Sequence, residues 1–354
     1  MKSSIVIIGG GLSGLTLAYR LDKSGLKATV LEARNRLGGR IHTAGGEKEV
    51  PIDMGATWLG NKHRALIELL QELKLDMHEQ YMGERAFYEP ISTGPPQLVT
   101  LPPNDEPSYR IKGGSSHLIQ TIAETLDQDN IITGEAVLSI RYSGEELIIQ
   151  TSNREITADF VISTIPPKLL VECVSFDPAL PGPLLEIANK THTWMAESIK
   201  FGISYLNPFW REDHYSGTLF SNTGPIPEMY DHTATEGSGF ALKGFLKEAY
   251  HSVSAKERKH LVLDKLQRLY GEKALDYDSY RETVWRHEPF TYAEYGDPII
   301  PHQNNGNPIY KKAFYDGKLI ISGSETASEF PGYMEGAVQS ANREAAKIKE
   351  MVNG

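Results

Sequence analysis

Three glycines early in the chain have the spacing with which a backbone turn approaches a diphosphate. Gly9, Gly11 and Gly14 fit G-x-G-x-x-G, after an apolar run at residues 4–8 and before apolar residues at helical spacing. The first glycine permits a tight turn, the second lets the backbone approach a pyrophosphate, and the third lets a helix pack closely on a strand. The N-terminus of that helix faces the phosphate charge. These residues predict a dinucleotide site.

A carboxylate at the end of the next apolar run strengthens this prediction. Residues 27–32 are typical of a second short strand that ends in Glu32, about twenty residues after the glycines, where a carboxylate can hold a ribose hydroxyl. A solvated carboxylate at a strand end is the alternative interpretation of Glu32. Strand, glycine turn and spacing occur together, however, and together they favour dinucleotide binding.

The composition excludes several other classes of protein. A length of 354 residues predicts two domains, and 40% apolar residues are typical of a globular chain. The net charge of −10 argues against nucleic-acid binding, which needs a basic face. Cys173 is the only cysteine, so no internal disulfide can form, and no histidine spacing fits a metal site.

The same features indicate where the protein works. A single cysteine favours a reducing compartment. The early apolar run is needed as the strand before the glycine turn, which leaves no secretory signal, and no run approaches the length of a membrane span. We therefore expect a soluble, cytoplasmic protein that has no membrane or nucleic-acid partner.

The residues after Glu32 favour FAD over a nicotinamide cofactor. Residues 31–43 carry a second glycine pair followed by Arg40, whose guanidinium could clamp a pyrophosphate with two charge-assisted hydrogen bonds. A basic surface turn is the alternative. Residues 50–60 are apolar and punctuated by glycines, which suits a segment that lies along a flat ring system.

Several segments of the chain resemble the signature blocks of flavin-containing amine oxidases, most closely the monoamine oxidase branch. They are residues 9–14, 31–34 with 38–40, 52–55, 162–167, 319–327 and 332–337. The blocks occur in family order over nearly the whole chain. The resemblance implies an α/β fold (α+β overall), with a Rossmann-like FAD-binding domain and a second, mixed-sheet substrate domain. It assigns residues 1–77, 111–189 and 291–354 to the FAD-binding domain, and residues 78–110 and 190–290 to the substrate domain.

The periodicity of the sequence agrees with this division. Helices are predicted over residues 64–74, 117–126, 255–270 and 333–351, and strands within residues 131–165, 197–205, 239–245 and 318–322. Six prolines between residues 90 and 107 predict a linker.

The resemblance also implies which residues bind FAD. A strand of the family touches the adenine at the position of Val137, and the N-terminal amides of the last helix would favour the electron-rich edge of a reduced flavin. The complete cofactor-binding set is Gly9, Gly11, Gly14, Glu32, Ala33, Arg34, Gly39, Arg40, Gly55, Ala56, Thr57, Val137, Gly323, Glu325, Gly332 and Met334.

Four residues match the catalytic positions of the family. Tyr333 and Tyr295 match two parallel rings that hold the substrate nitrogen, and Trp285 would lie against the flavin. Lys200 matches a lysine that binds a water at the flavin N5, where a positive charge assists electron transfer to O2. Phe245 is a candidate for lining the substrate cavity. For each aromatic residue ordinary core packing is the alternative, and for Lys200 a solvent-facing position on a strand.

The chain departs from the family pattern in two places. The cysteine that bonds the flavin covalently in monoamine oxidases is replaced by Glu294, so the resemblance implies non-covalent FAD. Residues 78–110 are far fewer than the family's equivalent, which walls the substrate cavity. We therefore expect a site that is open to solvent or bulky substrates, or one that another subunit covers, as in a homodimer.

The resulting prediction is FAD-dependent oxidation of an amine to an imine, which hydrolyses to a carbonyl compound and ammonia or an amine, while O2 is reduced to H2O2. The nearest alternative is a flavin-dependent desaturase or dehydrogenase that acts on a larger hydrophobic substrate. A protein that binds FAD without turnover and a nicotinamide-dependent reductase are also consistent with the glycine motif.

Overall fold

The computed structural model describes residues 4–45, 49–234 and 239–353, with the side chains of residues 213, 214 and 353 excepted. The predicted domain ranges include residues 1–3, 46–48, 235–238 and 354, which lie outside the described residues. Among the described residues, no helix is both long enough and apolar enough to cross a membrane.

The first large sheet has six strands, of which five run parallel and one edge strand runs antiparallel. Its order is Ile131–Thr133, Ala28–Glu32, Ile5–Ile8, Phe160–Ser163, Leu319–Ile321 and Ala313–Phe314. The central strands consist of β-branched and other apolar residues that are buried, as a parallel sheet covered on both faces requires. Helices Leu12–Lys23 and Met334–Asn353 pack together, and both contribute to the apolar core beside this sheet.

The second large sheet has seven strands and is mixed. Its order is Ser279–Val284, Ile199–Tyr205, Phe240–Leu246, Glu228–Asp231, Tyr215–Ser221, Arg85–Glu89 and Gln97–Thr100. Helix Ala255–Tyr270 covers it, and Val262 and Leu266 of that helix share an apolar cluster with Ile203 and Leu242 of the sheet. The side chain of Ser254 caps this helix by accepting from the Glu257 amide at 3.2 Å.

Smaller elements join the two large sheets. A four-stranded sheet contains Val137–Tyr142, Leu147–Thr151, Glu155–Ala158 and Ser175–Asp177; a three-stranded sheet contains Trp58–Gly60, Met77–Glu79 and Ser108–Ile111; a two-stranded sheet contains Thr43–Ala44 and Ile52–Asp53. The remaining α-helices of the described residues are Arg64–Glu72, Ser115–Thr125, Pro167–Cys173 and Gly182–Asn189.

The linker predicted from the prolines is wrong. Arg85–Glu89 and Gln97–Thr100 pair as an antiparallel hairpin and form the edge of the seven-stranded sheet. Pro90, Pro95 and Pro96 lie between the two strands, where no ladder hydrogen bond needs their missing N–H. These three prolines therefore mark the turn of a hairpin, and Pro102, Pro103 and Pro107 lie in the connection from it to Ser108–Ile111.

The predicted domain division stays a prediction, although each of the two large sheets falls within one predicted domain. All strands of the six-stranded sheet come from the segments assigned to FAD binding, and all strands of the seven-stranded sheet from the other two segments. The three-stranded sheet lies across the boundaries at residues 77–78 and 110–111, since Met77–Glu79 and Ser108–Ile111 pair within it.

Candidate active site

A long cavity begins at the carboxyl ends of the central parallel strands, the edge at which open α/β sheets bind ligands. At this end its walls include Gly9, Gly11, Glu32 and Val137, and it continues to Tyr333. Ala33, Arg34, Gly39, Arg40, Ala56, Gly332 and Met334 of the predicted cofactor set also line it.

The glycine turn leaves backbone exposed to this cavity. Gly9 has φ +106°, a conformation that favours glycine, and a Cβ on Gly14 would lie 2.0 Å from the Gly9 carbonyl oxygen. A Cβ on Gly11 would meet no atom closer than 3.8 Å, so this glycine borders open space. No side chain caps helix Leu12–Lys23, whose first turn lines the cavity. The turn therefore fits a diphosphate, as the spacing of the glycines predicts.

Glu32 is buried rather than solvated. Its side chain accepts from the backbone amide of Gly10 at 2.8 Å and from that of Arg34 at 2.9 Å. The carboxylate thus holds the glycine turn against the end of its own strand, while it remains part of the cavity wall.

Arg40 does not have the free guanidinium that a pyrophosphate clamp needs. It forms an ion pair with Glu325 at 2.7 Å and donates to Ser324 Oγ at 2.8 Å and to the Trp194 carbonyl at 2.9 Å. Burial raises the pKa of Glu325, but the charge and hydrogen bonds of Arg40 outweigh it and hold that pKa below 4.5. Arg40 lines the cavity, yet these donors are committed to protein groups.

Two glycines and a glutamate of the predicted set lie behind the cavity surface and act on the shape of the site. Gly14, Gly323 and Glu325 are not among the residues that line the cavities. Gly323 has φ +107°, and a Cβ there would lie 2.8 Å from the Thr164 carbonyl oxygen. A Cβ on Gly332, which does line the wall, would lie 2.6 Å from the Trp194 Cβ.

A second cavity of about 290 Å³ adjoins the first. The two share the wall residues Arg40, Ala56, Gly332, Tyr333 and Met334. Gly55, Thr57, Trp58, Lys200, Phe245 and Trp285 complete much of the second wall.

Lys200 is buried in this second wall, so the solvent-facing alternative is wrong. Its Nζ donates to the Gly55 carbonyl at 2.6 Å and lies 5.0 Å from the ring centroid of Phe245. Burial lowers the pKa of Lys200 to about 8, although Asp53 and Glu228 act in the opposite direction. The cavity therefore holds an amine that is still largely cationic at neutral pH.

Two of the predicted aromatic residues lie beside Lys200. Trp285 is buried and fixed, because its Nε1 donates to the Met54 carbonyl at 2.8 Å. Phe245 is also buried and lies on the strand paired with that of Lys200, directly opposite it in register. Both side chains line the cavity.

The structure does not bring Tyr295 and Tyr333 together as the predicted pair. Tyr333 lines both cavities, and its ring neighbours include Trp194, at 5.6 Å, and His302, at 5.8 Å. Tyr295 is not among the lining residues; its hydroxyl accepts from the Thr193 amide at 2.9 Å and donates to the Thr191 carbonyl at 3.1 Å. The backbone of Thr191 and Thr193 therefore binds the Tyr295 hydroxyl, and Trp194 lines the second cavity instead.

Sequence reasoning missed several residues at this site. Trp194 lines the second cavity, and Lys243, Asp53 and His232 are buried close to it. The His232 Nε2 accepts from the Asp53 amide at 3.1 Å. Among these residues, only Lys243 could have been noticed in the sequence, because it is a charged residue in the apolar strand Phe240–Leu246. The sequence does not indicate which residues lie opposite Lys243 on the neighbouring strand.

The sequence matches the profile of the family "Flavin containing amine oxidoreductase" over residues 12–95 and 92–349. The chain belongs to this family. Flavin as the cofactor and amines as the substrate class come with the family, so the predictions of the family, of FAD and of an amine-oxidising oxidoreductase are confirmed. The two matched segments meet at residues 92–95, inside the region that is short compared with the family.

Individual members of the amine oxidase family align over nearly the whole chain. Probable flavin-containing monoamine oxidase A of Dictyostelium discoideum is 26% identical, with 98% of this chain and 97% of the relative covered. Human amine oxidase [flavin-containing] B is 25% identical, with 98% and 86% covered. The alignments extend over 454 and 455 positions, against 354 residues here, so these relatives contain segments that this chain lacks.

Solved amine oxidases share the fold. Cyclohexylamine oxidase from Brevibacterium oxydans superposes with a TM-score of 0.87 at 20% identity, and all of both chains is covered. Putrescine oxidase, in a structure with bound putrescine, superposes with a TM-score of 0.85 at 24% identity and covers 98% of this chain and 99% of its own. The prediction of an α/β fold with mixed sheets is confirmed.

Proposed function

We propose that this amine oxidase binds FAD non-covalently in a Rossmann-like site along the first cavity, oxidises an amine in the second, and passes the electrons to O2. The observation that carries the proposal is the buried Lys200 amine, which contacts the Gly55 carbonyl and the Phe245 ring in the wall of the second cavity. A cofactor-binding protein without turnover has no need of a buried cation there.

Bound FAD would accept the two electrons of a C–H bond, which leaves an imine that water hydrolyses to a carbonyl compound and ammonia or an amine. The chain's own residues supply the surroundings. Trp285, Phe245 and Tyr333 offer apolar walls that favour the neutral amine over its ammonium form. Lys200 supplies positive charge that stabilises the negative charge developing on O2 as it takes two electrons and two protons to become H2O2.

The positions of the cysteine and of Glu294 support non-covalent binding. Glu294 occupies the sequence position at which the covalent members carry their cysteine. Cys173 is exposed at the end of helix Pro167–Cys173 and borders the first cavity but not the second, which Lys200 and Trp285 line. Acid denaturation should therefore release all FAD from the protein, which the absorbance of the filtrate would show.

Glu228 favours amines that carry a second positive charge. It is a carboxylate in the wall of the second cavity, where it accepts from the Tyr230 hydroxyl at 2.9 Å. Diamines therefore belong beside monoamines in any substrate panel. The shortened region at residues 78–110, together with a Tyr333 that is 39% exposed, also favours bulky amines.

The proposal is tested with the purified holoenzyme under anaerobic conditions. A panel of monoamines, diamines and bulky amines should bleach the visible FAD band, and readmitted O2 should restore it with one H2O2 per amine oxidised. If no amine bleaches the band while a hydrophobic C–C substrate does, the desaturase or dehydrogenase alternative replaces this proposal. The cytoplasmic location and a homodimer stay predictions, which cell fractionation and light scattering would test.

A further inference from the structure

A second buried lysine lies one strand away from Lys200. Lys243 lies on Phe240–Leu246, which pairs with Ile199–Tyr205, and it is opposite Gly202 in the register. Its side chain is fully buried. Burial of an amine is costly unless the amine has hydrogen-bond partners, and the proposed reaction makes no use of this one.

The contacts of Lys243 lead back to Lys200. The Lys243 Nζ donates to Thr57 Oγ1 and lies 4.7 Å from the ring centroid of Trp58. Thr57 Oγ1 donates in turn to the Gly55 carbonyl at 3.1 Å, and the same carbonyl accepts from the Lys200 Nζ at 2.6 Å. Three hydrogen bonds through one segment of cavity wall therefore join the two amines.

The charges around the pair disfavour a positive charge on both lysines at once. Burial lowers the pKa of both lysines, and the charge of Lys200 lowers that of Lys243 further. Asp53 and Glu228 raise both pKa values, whereas Arg110 lowers that of Lys243. The remaining groups on this side are His232 and His78, whose pKa values are lowered by burial, so both are neutral at pH 7.

We propose that Lys243 is a positioning residue for Lys200: through Thr57 it fixes the Gly55 carbonyl that holds the Lys200 ammonium at the cavity wall. The inference rests on the proposed function, in which the charge of Lys200 assists the reduction of O2. Loss of the Lys243 N–H, rather than loss of its volume, should then loosen the carbonyl and weaken the hydrogen bond that favours charged Lys200.

The test compares wild-type holoenzyme with Lys243→Met, which keeps the length and removes the donor, and Lys243→Gln, which keeps an N–H. The visible FAD spectrum is titrated with pH, and reduction by amine and reoxidation by O2 are timed separately. For Lys243→Met we expect the spectral midpoint to fall by about one pH unit, the scale of a weakened hydrogen bond to a charged group.

Reoxidation of Lys243→Met at pH 8 should be slower by about tenfold, while anaerobic reduction stays within about threefold of wild type. Lys243→Gln should resemble wild type in both measurements. Thr57→Val breaks the same chain of hydrogen bonds from its other side and should reproduce the lower midpoint. Adding it to Lys243→Met should lower the midpoint no further, because both changes remove one pathway.

Two outcomes would overturn the inference. In the first, Lys243→Met titrates and reoxidises as wild type does. In the second, Lys243→Met and Lys243→Gln show the same lower spectral midpoint and the same slower reoxidation, which would assign the effect to packing. The Lys200→Met variant distinguishes failure of this inference from failure of the proposed function. If Lys200→Met keeps the spectral transition and reoxidises at the wild-type rate, the role of Lys200 is rejected together with the inference. A transition that Lys200→Met abolishes and Lys243→Met leaves unmoved rejects the inference alone.

Discussion

At the scale of single residues, the site contains buried charges that have few hydrogen-bond partners. Lys200 has one short hydrogen bond, to the Gly55 carbonyl, and an aromatic face beside it. A carbonyl dipole replaces only part of the hydration that an ammonium loses on burial, so the charged form is disfavoured. The protonation of Lys200 is therefore set to change within the pH range in which enzymes are assayed.

A pH dependence of the oxidative half-reaction follows. The pKa of Lys200 is about 8, so the ammonium is present below that pH and is lost as the pH rises through it. Reoxidation by O2 should be fastest below pH 8 and should fall by about tenfold or more above it, because the charge that stabilises reduced oxygen disappears. Stopped-flow reoxidation of amine-reduced enzyme between pH 6 and 10 measures this.

Lys200→Met is the control for that profile. The variant should keep bound FAD and be reduced by amines at about the wild-type rate, but it should reoxidise slowly at every pH, without the step near pH 8. Reoxidation at the wild-type rate would remove Lys200 from its proposed role.

At the scale of elements, the glycine turn and helix Leu12–Lys23 pack so closely that Gly14 has no room for a Cβ atom. Gly14 lies in the first turn of helix Leu12–Lys23 and faces the carbonyl of Gly9. The helix also packs on the last helix, Met334–Asn353, where Ser13 Oγ lies 3.2 Å from Ser340 Oγ. A shift of the first helix is therefore transmitted to the second, whose first residue, Met334, lines both cavities.

Gly14→Ala should separate the helix from the turn. Its Cβ would lie 2.0 Å from a backbone oxygen, so the variant should lose about 1–3 kcal/mol in free energy of unfolding, the usual cost of overpacking, and bind FAD more weakly. Urea unfolding and FAD titration measure the two effects.

Gly182→Ala is the matched control, since a Cβ on Gly182, at the first residue of helix Gly182–Asn189, meets no atom within 4 Å. This change should leave the free energy of unfolding within about 0.5 kcal/mol of wild type. Equal stabilities of the two variants would contradict the packing argument.

At the scale of the whole molecule, segments that are distant in sequence meet around one ion pair. Arg40 follows the second glycine pair, Glu325 follows the last strand of the parallel sheet, and the Trp194 carbonyl belongs to the connection that leads into the seven-stranded sheet. Glu325 is almost fully buried, and Arg40 supplies its counter-charge. The pair therefore lies where the two cavities share a wall, because Arg40 lines both.

Arg40→Met should destabilise the holoenzyme by about 3 kcal/mol at pH 7, because it leaves the Glu325 carboxylate buried and unpaired. The pKa of Glu325 is lowered from 4.5 in the folded protein, so the contribution of the pair is complete above that pH and is lost as the pH falls through the lowered value. The difference between variant and wild type should therefore shrink in acid.

Lys62→Met serves as the comparison, because it removes the exposed ion pair with Glu106, which should be worth less than about 1 kcal/mol. Urea unfolding at saturating FAD, at pH 7 and pH 4, measures all three proteins. A loss in Arg40→Met no larger than in Lys62→Met would show that Glu325 does not depend on this pair.

The sequence by itself determined the parts of this protein that depend on local pattern. The glycine turn, the strand that ends in Glu32 and helix Ala255–Tyr270 follow from spacing and periodicity, which short-range geometry fixes. The order of the signature blocks, from Gly9 to Met334, identified the family and its cofactor.

Only the tertiary structure decided which residues meet at the site. Lys243 lies close to Lys200 because two strands pair in one register, and a shift of one residue would point its side chain to the other face. Glu325 occupies Arg40 because the last strand of the sheet ends beside the second glycine pair. Trp194 lies beside Tyr333, whereas the Tyr295 hydroxyl binds the backbone amide of Thr193. Each of these contacts joins segments far apart in the chain, and no local pattern encodes such a distance.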